Sequence, residues 1–446
     1  MNLPGTICIN EQGHLQVGDC DVVELARTFG TPLYIYDEMG IRQKCREYHR
    51  ALAANYQDYK VLYASKAFSS LAICRLMEQE GLGLDVVSGG ELYTALAADF
   101  PPEKIYFHGN NKSIEELNLA LSAGVGYIVV DNPWELENLA QLAAGRKTRV
   151  KILLRLTPGI ETHTHHYIQT GQLDSKFGIS LSGGAAMEVV KRALALPEIE
   201  LVGIHCHIGS QVFNSASFRF AAERMIDFMA AVKEETGHQL TVLNLGGGLG
   251  ISYTENDQPD PIDTYIEGIA ATVKEACANY NLPLPTLVVE PGRSLVGEAG
   301  IAVYRVGTVK EIHGVRTYAS VDGGMADNPR PALYQARYQA LVANKANAPR
   351  EQTYTIAGKC CESGDILIQD IELPRLVPGD LIAVLSSGAY QYAMASNYNR
   401  LPRPAVITVA QGRAEIIVRR ETYSDLIRCD RIPPAWTEKD TLPAVM

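Results

Sequence analysis

The sequence has no apolar stretch near the ~18 residues that a helix needs to cross a bilayer, so no membrane-spanning helix is expected. It has no excess of positive charge either: 40 Lys and Arg stand against 51 Asp and Glu, a net charge of −11. A surface of that sign repels nucleic-acid phosphates and anionic lipid. The expected partner is therefore a small molecule, with any anion confined to a locally positive pocket. The nine cysteines are odd in number, show no C-x-x-C spacing and include an adjacent pair, Cys360 and Cys361. Neither a disulfide framework nor a zinc ribbon is built that way, and reduced thiols in a cytoplasm are expected. The opening MNLPGTICINEQG lacks the basic and apolar regions of a secretory signal. Repeats, low-complexity segments and charge blocks are missing too. With 446 residues, 46% of them hydrophobic and 20% charged, the chain has ordinary globular composition and the length of two domains, at most three.

What the sequence does have is rhythm. Short β-rich runs at 60–64, 82–87, 105–108, 127–130, 150–156, 201–207, 241–245 and 286–290 alternate with helical stretches rich in Ala, Leu and Glu. The runs are continuously apolar, as in a parallel sheet buried on both faces. Eight such units predict a (β/α)8 TIM-type barrel, with a doubly wound open sheet as the competing architecture. Past Pro291 the long helical patterns stop. Runs at 301–312, 318–321, 353–356, 366–371, 381–385, 405–409 and 414–418, separated by Gly, Pro, Asp and Ser turns, predict a second, all-β domain of sandwich or Greek-key barrel type. The first forty residues, with β-like runs and a helical stretch at 22–29, fit neither the barrel spacing nor a tail and are expected to pack on that second domain. The predicted division is a barrel over 38–298, with 1–37 and 299–446 forming the β domain.

A barrel carries its chemistry at the C-terminal ends of its strands. Seven of the eight predicted ends hold polar groups that packing does not require: Lys66; Asp85; His108; Arg155; His205 and His207 with Ser210; Gly246-Gly247-Gly248; and Glu290 with Gly292 and Arg293. The glycines allow backbone N–H groups close to an anion, though alone they would be read as a tight turn. A Rossmann fingerprint would need glycine where Ile251 stands, and a P-loop would need G-K-[ST]. A lysine at a strand end is usually a solvated end, but a desolvated amine can form a Schiff base with an aldehyde. A phosphate cradle, such a lysine and a carboxylate at Glu290 together suggest pyridoxal phosphate, whose ring nitrogen an acidic partner keeps protonated. The cluster His163, His165 and His166 sits in a predicted loop without paired carboxylate or cysteine, so no metal is expected there; residues 163–172 are a candidate lid.

The motifs YASKA, HGNNKS, DSKFGI, HCHIGSQ, LGGGLGISY, EPGRSLV, RPALY, CCESGDIL and GAYQYAMASNYNRLPRPA, in this order over about residues 60–404, resemble those of the diaminopimelate decarboxylases, fold-type III pyridoxal-phosphate enzymes. The resemblance implies that Lys66 carries the cofactor, Glu290 pairs its ring nitrogen and His207 stacks on the ring. It also implies that Ser210, Gly248, Gly292, Arg293 and Tyr390 hold the phosphate, with Asp85 and Gly247 beside the cofactor. It further implies a homodimer with shared sites, Cys361 and Glu362 acting from the partner subunit, and an intersubunit pair between Lys176 and Asp365. The implied reaction is decarboxylation of meso-2,6-diaminopimelate to L-lysine and CO2 through a Schiff base and a quinonoid, with Cys361 protonating the carbanion. Arg293, Arg330, Tyr334, Glu362 and Tyr390 are the expected substrate contacts. Two arginines beside a cofactor argue for a dicarboxylate over ornithine or lysine. The alternatives are a related decarboxylase with another amino-acid substrate, an alanine racemase, for which Glu290 is the wrong partner of the ring nitrogen, and a catalytically inactive regulator. The last typically lacks the lysine or the cysteine, and both are present here.

Overall fold

The computed structural model describes residues 3–159 and 175–436, so the histidine cluster 163–166 and the whole candidate lid 163–172 lie outside the described residues. Eight parallel strands close into a barrel: Tyr59–Ala64, Gly83–Val86, Ile105–Phe107, Tyr127–Val130, Val150–Thr157, Ile199–His205, Val242–Asn244 and Thr286–Val289. The eighth strand pairs with the first and the fourth with the fifth, which completes the ring and rules out the open sheet. Inward-facing Leu62, Tyr106, Val129, Leu153, Val242 and Val288 fill the interior as one apolar cluster. The barrel is thus a packed plug, and a ligand can only sit at its rim.

Local chemistry places the helices that follow the early strands. Ser70, Ser88, Ser113 and Asn132 cap the helices Leu71–Gln79, Gly89–Ala97, Ile114–Ala123 and Pro133–Arg146, each accepting a first-turn backbone N–H. Such caps contribute about 1 kcal/mol apiece and set where each βα loop ends. Ser113 and Glu116 form a reciprocal capping box.

The second sheet orders its main strands as Ile366–Leu373, Gln352–Ala357, Arg316–Val321, Gly300–Ile312, Leu33–Asp37, Ala405–Ala410 and Arg413–Val418. Here the N-terminal segment finds its place. Leu33–Asp37, buried throughout, runs between Gly300–Ile312 and Ala405–Ala410. Its pairing with Ala405–Ala410 is parallel, as is that of Arg316–Val321 with Gln352–Ala357, so the domain is a mixed sheet and not a pure antiparallel meander. No helix among the described residues is long and apolar enough to cross a membrane.

Candidate active site

The strand ends converge as the barrel requires. One cleft is lined by Lys66, Asp85, His108, Arg155, His205, His207, Ser210, Gly247, Gly248, Glu290, Gly292, Arg293 and Tyr390.

Glu290 is buried at its floor, one residue past the eighth strand. Its Oε1 accepts from Asn244 Nδ2 at 2.7 Å and lies 2.8 Å from His108 Nε2; its Oε2 lies 3.3 Å from His205 Nε2. Burial alone would raise this carboxyl, but the two histidines more than offset it and hold Glu290 well below the usual carboxylate range. Burial pushes His205 down to about 3 from its ordinary 6.5, so the ring is neutral at physiological pH. His207 is pushed down as well, by burial first and then by the charge of Lys66. Its Nδ1 accepts from Gly247 N–H at 3.3 Å, which places the ring proton on Nε2. Asp85 is raised by burial, and its Oδ1 has no hydrogen-bond partner among the described residues.

The neutrality of His205 has a measurable consequence. Between the folded value and 6.5 the unfolded chain binds a proton that the folded chain refuses, so stability falls as pH drops through that window. For this ring the loss is about 2 kcal/mol at roughly pH 5. His205→Gln should therefore flatten the acid side of a plot of Tm against pH relative to the parent. An unchanged slope would mean that the ring is charged in the folded protein.

Two loops meet above the floor. A Cβ on Gly247 would come within 2.0 Å of the Glu290 carbonyl oxygen, and one on Gly248 (φ +129°) within 2.3 Å of the Gly209 carbonyl. Only glycine allows this close approach. Ser210 Oγ accepts from Arg293 Nη2 at 2.8 Å and from Nε at 3.3 Å. Lys66 follows the first strand in the short turn Ser65–Ala67 and is open to the cleft. The β domain closes on it: Tyr390 donates its backbone N–H to Ala67 O at 2.8 Å. Tyr390 holds a left-handed backbone (φ +62°), a conformation that a tyrosine adopts only where its surroundings impose it.

Outward the cleft widens between barrel and β domain, where Arg293, Arg330, Tyr334, Tyr390, Tyr253, Asn256 and Phe213 line its walls. Arg293 hydrogen-bonds Tyr253 Oη and lies 4.7 Å from the Tyr390 ring centre. Arg330 donates to Tyr338 Oη at 2.5 Å and lies 4.8 Å from the Tyr253 ring centre. Both arginines are 5% exposed, and neither has a carboxylate partner among the described residues. Two buried cations held by hydroxyls and ring faces leave a cavity that favours anions.

Cys361 and Glu362 line neither part of the cleft of their own chain. Both are exposed, and Cys361 is anchored by its N–H to Asn399 Oδ1 at 2.7 Å. Asp365, in the same turn, is buried between Gly324 and Gly358, where it accepts the N–H groups of Met325 at 2.7 Å and Cys360 at 2.8 Å. It organises the CESGD turn from within. The sequence reading assigned no role to Asn244, Tyr253 and Tyr338, and none to His108, Arg155 and His205 beyond their place at the rim. Asn244 and the last three stand at strand ends, and Tyr253 closes the motif LGGGLGISY; only Tyr338 has no signal short of three-dimensional proximity.

A closed barrel whose rim gathers a lysine, a buried carboxylate and a glycine cradle, under a β domain that adds Arg330, has the architecture of the fold-type III pyridoxal-dependent enzymes. Residues 39–297 match the family model described as "Pyridoxal-dependent decarboxylase, pyridoxal binding domain". The chain belongs to the pyridoxal-dependent decarboxylases. It is 51% identical to the diaminopimelate decarboxylase of Bacillus subtilis, over 96% of this chain and 98% of that one, and 49% identical to that of Synechocystis, over 97% and 93%. Among solved structures, diaminopimelate decarboxylase from M. jannaschii superposes with a TM-score of 0.91 at 36% identity, covering 96% and 98% of the two chains. A lysine/ornithine decarboxylase from Vibrio vulnificus, complexed with putrescine, gives 0.74 at 26% identity, covering 87% and 98%. The residues present fit the family's cofactor: an ionised carboxylate and the unpartnered Asp85 Oδ1 lie at the buried end, and a glycine cradle with Ser210 and Arg293 at the other.

Proposed function

We propose that this chain decarboxylates meso-2,6-diaminopimelate to L-lysine, the last step of lysine synthesis. The observation that carries the reading is the pair of buried guanidiniums without a carboxylate partner among the described residues, one beside the glycine cradle and one deeper in the outer cleft. The first meets a phosphate and the second a distal carboxylate, a group that the side chains of ornithine and lysine lack. Pyridoxal phosphate, when bound, supplies an electron-accepting ring for the pair of electrons left behind by CO2.

The residues divide the remaining work. Lys66 holds the cofactor aldehyde through its amine. Asp85 and Glu290 attend the ring nitrogen, and Glu290 as an anion keeps a proton there. His207 offers a flat neutral face, with its tautomer set by Gly247. Ser210, Gly247, Gly248, Gly292, Arg293 and Tyr390 take the phosphate. Arg330, Tyr334 and Tyr390, with Arg293 at the junction, orient the substrate and exclude water from its distal carboxylate. The barrel of 38–298 thus carries the cofactor, and the β domain of 1–37 and 299–446 completes the substrate cleft.

Cys361 and Glu362 complete it in a homodimer, each serving the partner subunit's cleft, where Cys361 returns a proton to the product carbon and Glu362 faces the distal ammonium. Their exposure outside their own cleft supports this. Lys66→Ala and Cys361→Ala subunits, each inactive alone, should then regain about a quarter of parental activity when unfolded and refolded together. No recovery would place both residues in one subunit's site. Nine free thiols and the need for a reduced Cys361 support a cytoplasmic location.

CO2 release from meso-diaminopimelate, L-lysine and L-ornithine tests the substrate. Turnover of the first alone is the expected result; preferred turnover of either monocarboxylate would replace this reading with that of a diamine-forming decarboxylase.

A further inference from the structure

Glu290 is held from three sides by strands that the decarboxylation itself does not require to be polar. Asn244 ends the seventh strand, His108 follows the third and His205 ends the sixth. The orientation of Asn244 is not free: its Oδ1 accepts Gly246 N–H at 2.9 Å, so its amide nitrogen must face Glu290 Oε1, at 2.7 Å. A donor pointed at Oε1 means that this oxygen carries no proton. The other two neighbours are the Nε2 atoms of His108, 2.8 Å from Oε1, and of His205, 3.3 Å from Oε2. Both are buried, and neither makes an aligned hydrogen bond to a described residue. The two rings meet edge to face, with centroids 4.8 Å apart at 72°, so each limits the rotation of the other. Both oxygens of one carboxylate thereby have an imidazole nitrogen at ion-pair distance on a rigid strand end.

We infer that His108 and His205 are positioning residues that present Nε2–H to Glu290 and, with Asn244, keep it an oriented anion towards the cofactor ring nitrogen. This rests on the pyridoxal-phosphate reading above and deepens it. The charged groups around the carboxylate explain why donors are needed. Arg155 and any positive ring nitrogen favour the anion, whereas Asp85, raised by its own burial, opposes a second negative charge. Burial without donors would leave Glu290 protonated, and a protonated acid holds no proton on the ring nitrogen.

The test compares binding of pyridoxal phosphate with that of its 1-deaza analogue, which lacks the ring nitrogen. The parent should prefer the nitrogen-bearing form. His108→Leu and His205→Leu should each reduce that preference by about tenfold or more, the worth of one charge-assisted hydrogen bond. The glutamine variants, which restore an N–H, should recover most of it. In the leucine variants the acid limb of the bound cofactor's absorbance titration should also move up by about one pH unit or more. Leucine variants with parental preference and an unmoved acid limb would overturn the inference, as would stoichiometric metal bound by these side chains in the purified holoenzyme. Should the leucine variants fail to fold, nitrogen-15 spectra of histidine-labelled parent holoenzyme decide: Nε2 must be protonated in both residues, and an unprotonated Nε2 in either refutes the assignment. A parent that binds neither form would instead refute the cofactor reading itself.

Discussion

Lys66→Ala is expected to leave a folded protein with less than about 10⁻⁴ of parental turnover, beyond what the loss of one proton donor explains. The lysine is open to the cleft and has no hydrogen bond or ion pair among the described residues, so its stem and charge contribute little to the fold. The change in stability should stay within about 0.5 kcal/mol, the range for a substitution without structural partners. Catalysis is a different matter, because a primary amine at the rim is what can hold an aldehyde covalently. Borohydride reduction followed by peptide mass analysis is the measurement. In the parent, Lys66 should carry the reduced cofactor and no other lysine should; in the variant the label should vanish although the phosphate cradle still binds the cofactor reversibly. A label elsewhere in the parent, or undiminished CO2 release from the variant, would remove Lys66 from its role.

The second large effect belongs to Arg330. Its guanidinium is buried between the Tyr253 ring and the Tyr338 hydroxyl, and burial, which lowers such a group, is outweighed by those two tyrosines, so it stays charged. Arg330→Ala should raise KM for meso-diaminopimelate by about 10- to 100-fold, the equivalent of the ~1.5–3 kcal/mol carried by a hydrogen bond to a charged group. The product, L-lysine, keeps the distal carboxylate and should weaken by a similar factor as an inhibitor. Cadaverine has the same chain without that carboxylate and should bind the variant as it binds the parent. Cofactor affinity should change by less than about twofold, because the glycine cradle, Ser210 and Arg293 are untouched. Equal loss of L-lysine and cadaverine would show that Arg330 shapes the cleft without reading the carboxylate. A drop in Tm accompanies the substitution in either case, since the buried Tyr338 hydroxyl loses its partner.

The two residues differ in how far the sequence exposes them. Lys66 stands directly after an apolar strand in a repeating βα pattern, so barrel logic alone brings it to the rim. Arg330 lies in the short helix Arg330–Tyr334 of the β domain, more than two hundred residues further on, with no periodicity that points it at the cleft. Only the resemblance of RPALY to a known motif singled it out. The same holds for Leu33–Asp37. Its five residues read as a β-run near the N-terminus, yet their place in the centre of the second sheet depends on pairing with partners some 270 and 370 residues away in sequence. Propensity says that a segment is extended; it does not say beside what.

The burial of Asp365 shows the limit from the other side. The resemblance implies only a partner lysine for it, whereas the fold also sets it between two glycines and onto two backbone amides. By itself the sequence determined the alternation of apolar strands and capped helices, the glycines that must pass close to backbone carbonyls, and the polar groups at the strand ends, because each follows from local sterics, hydrogen bonding and a period of burial. Tertiary structure alone decided the charge state of Glu290, the union of Arg293 and Arg330 around Tyr253, and the turning of Cys361 away from its own cleft. Those depend on desolvation and on distances between residues remote in the chain, which no local pattern encodes.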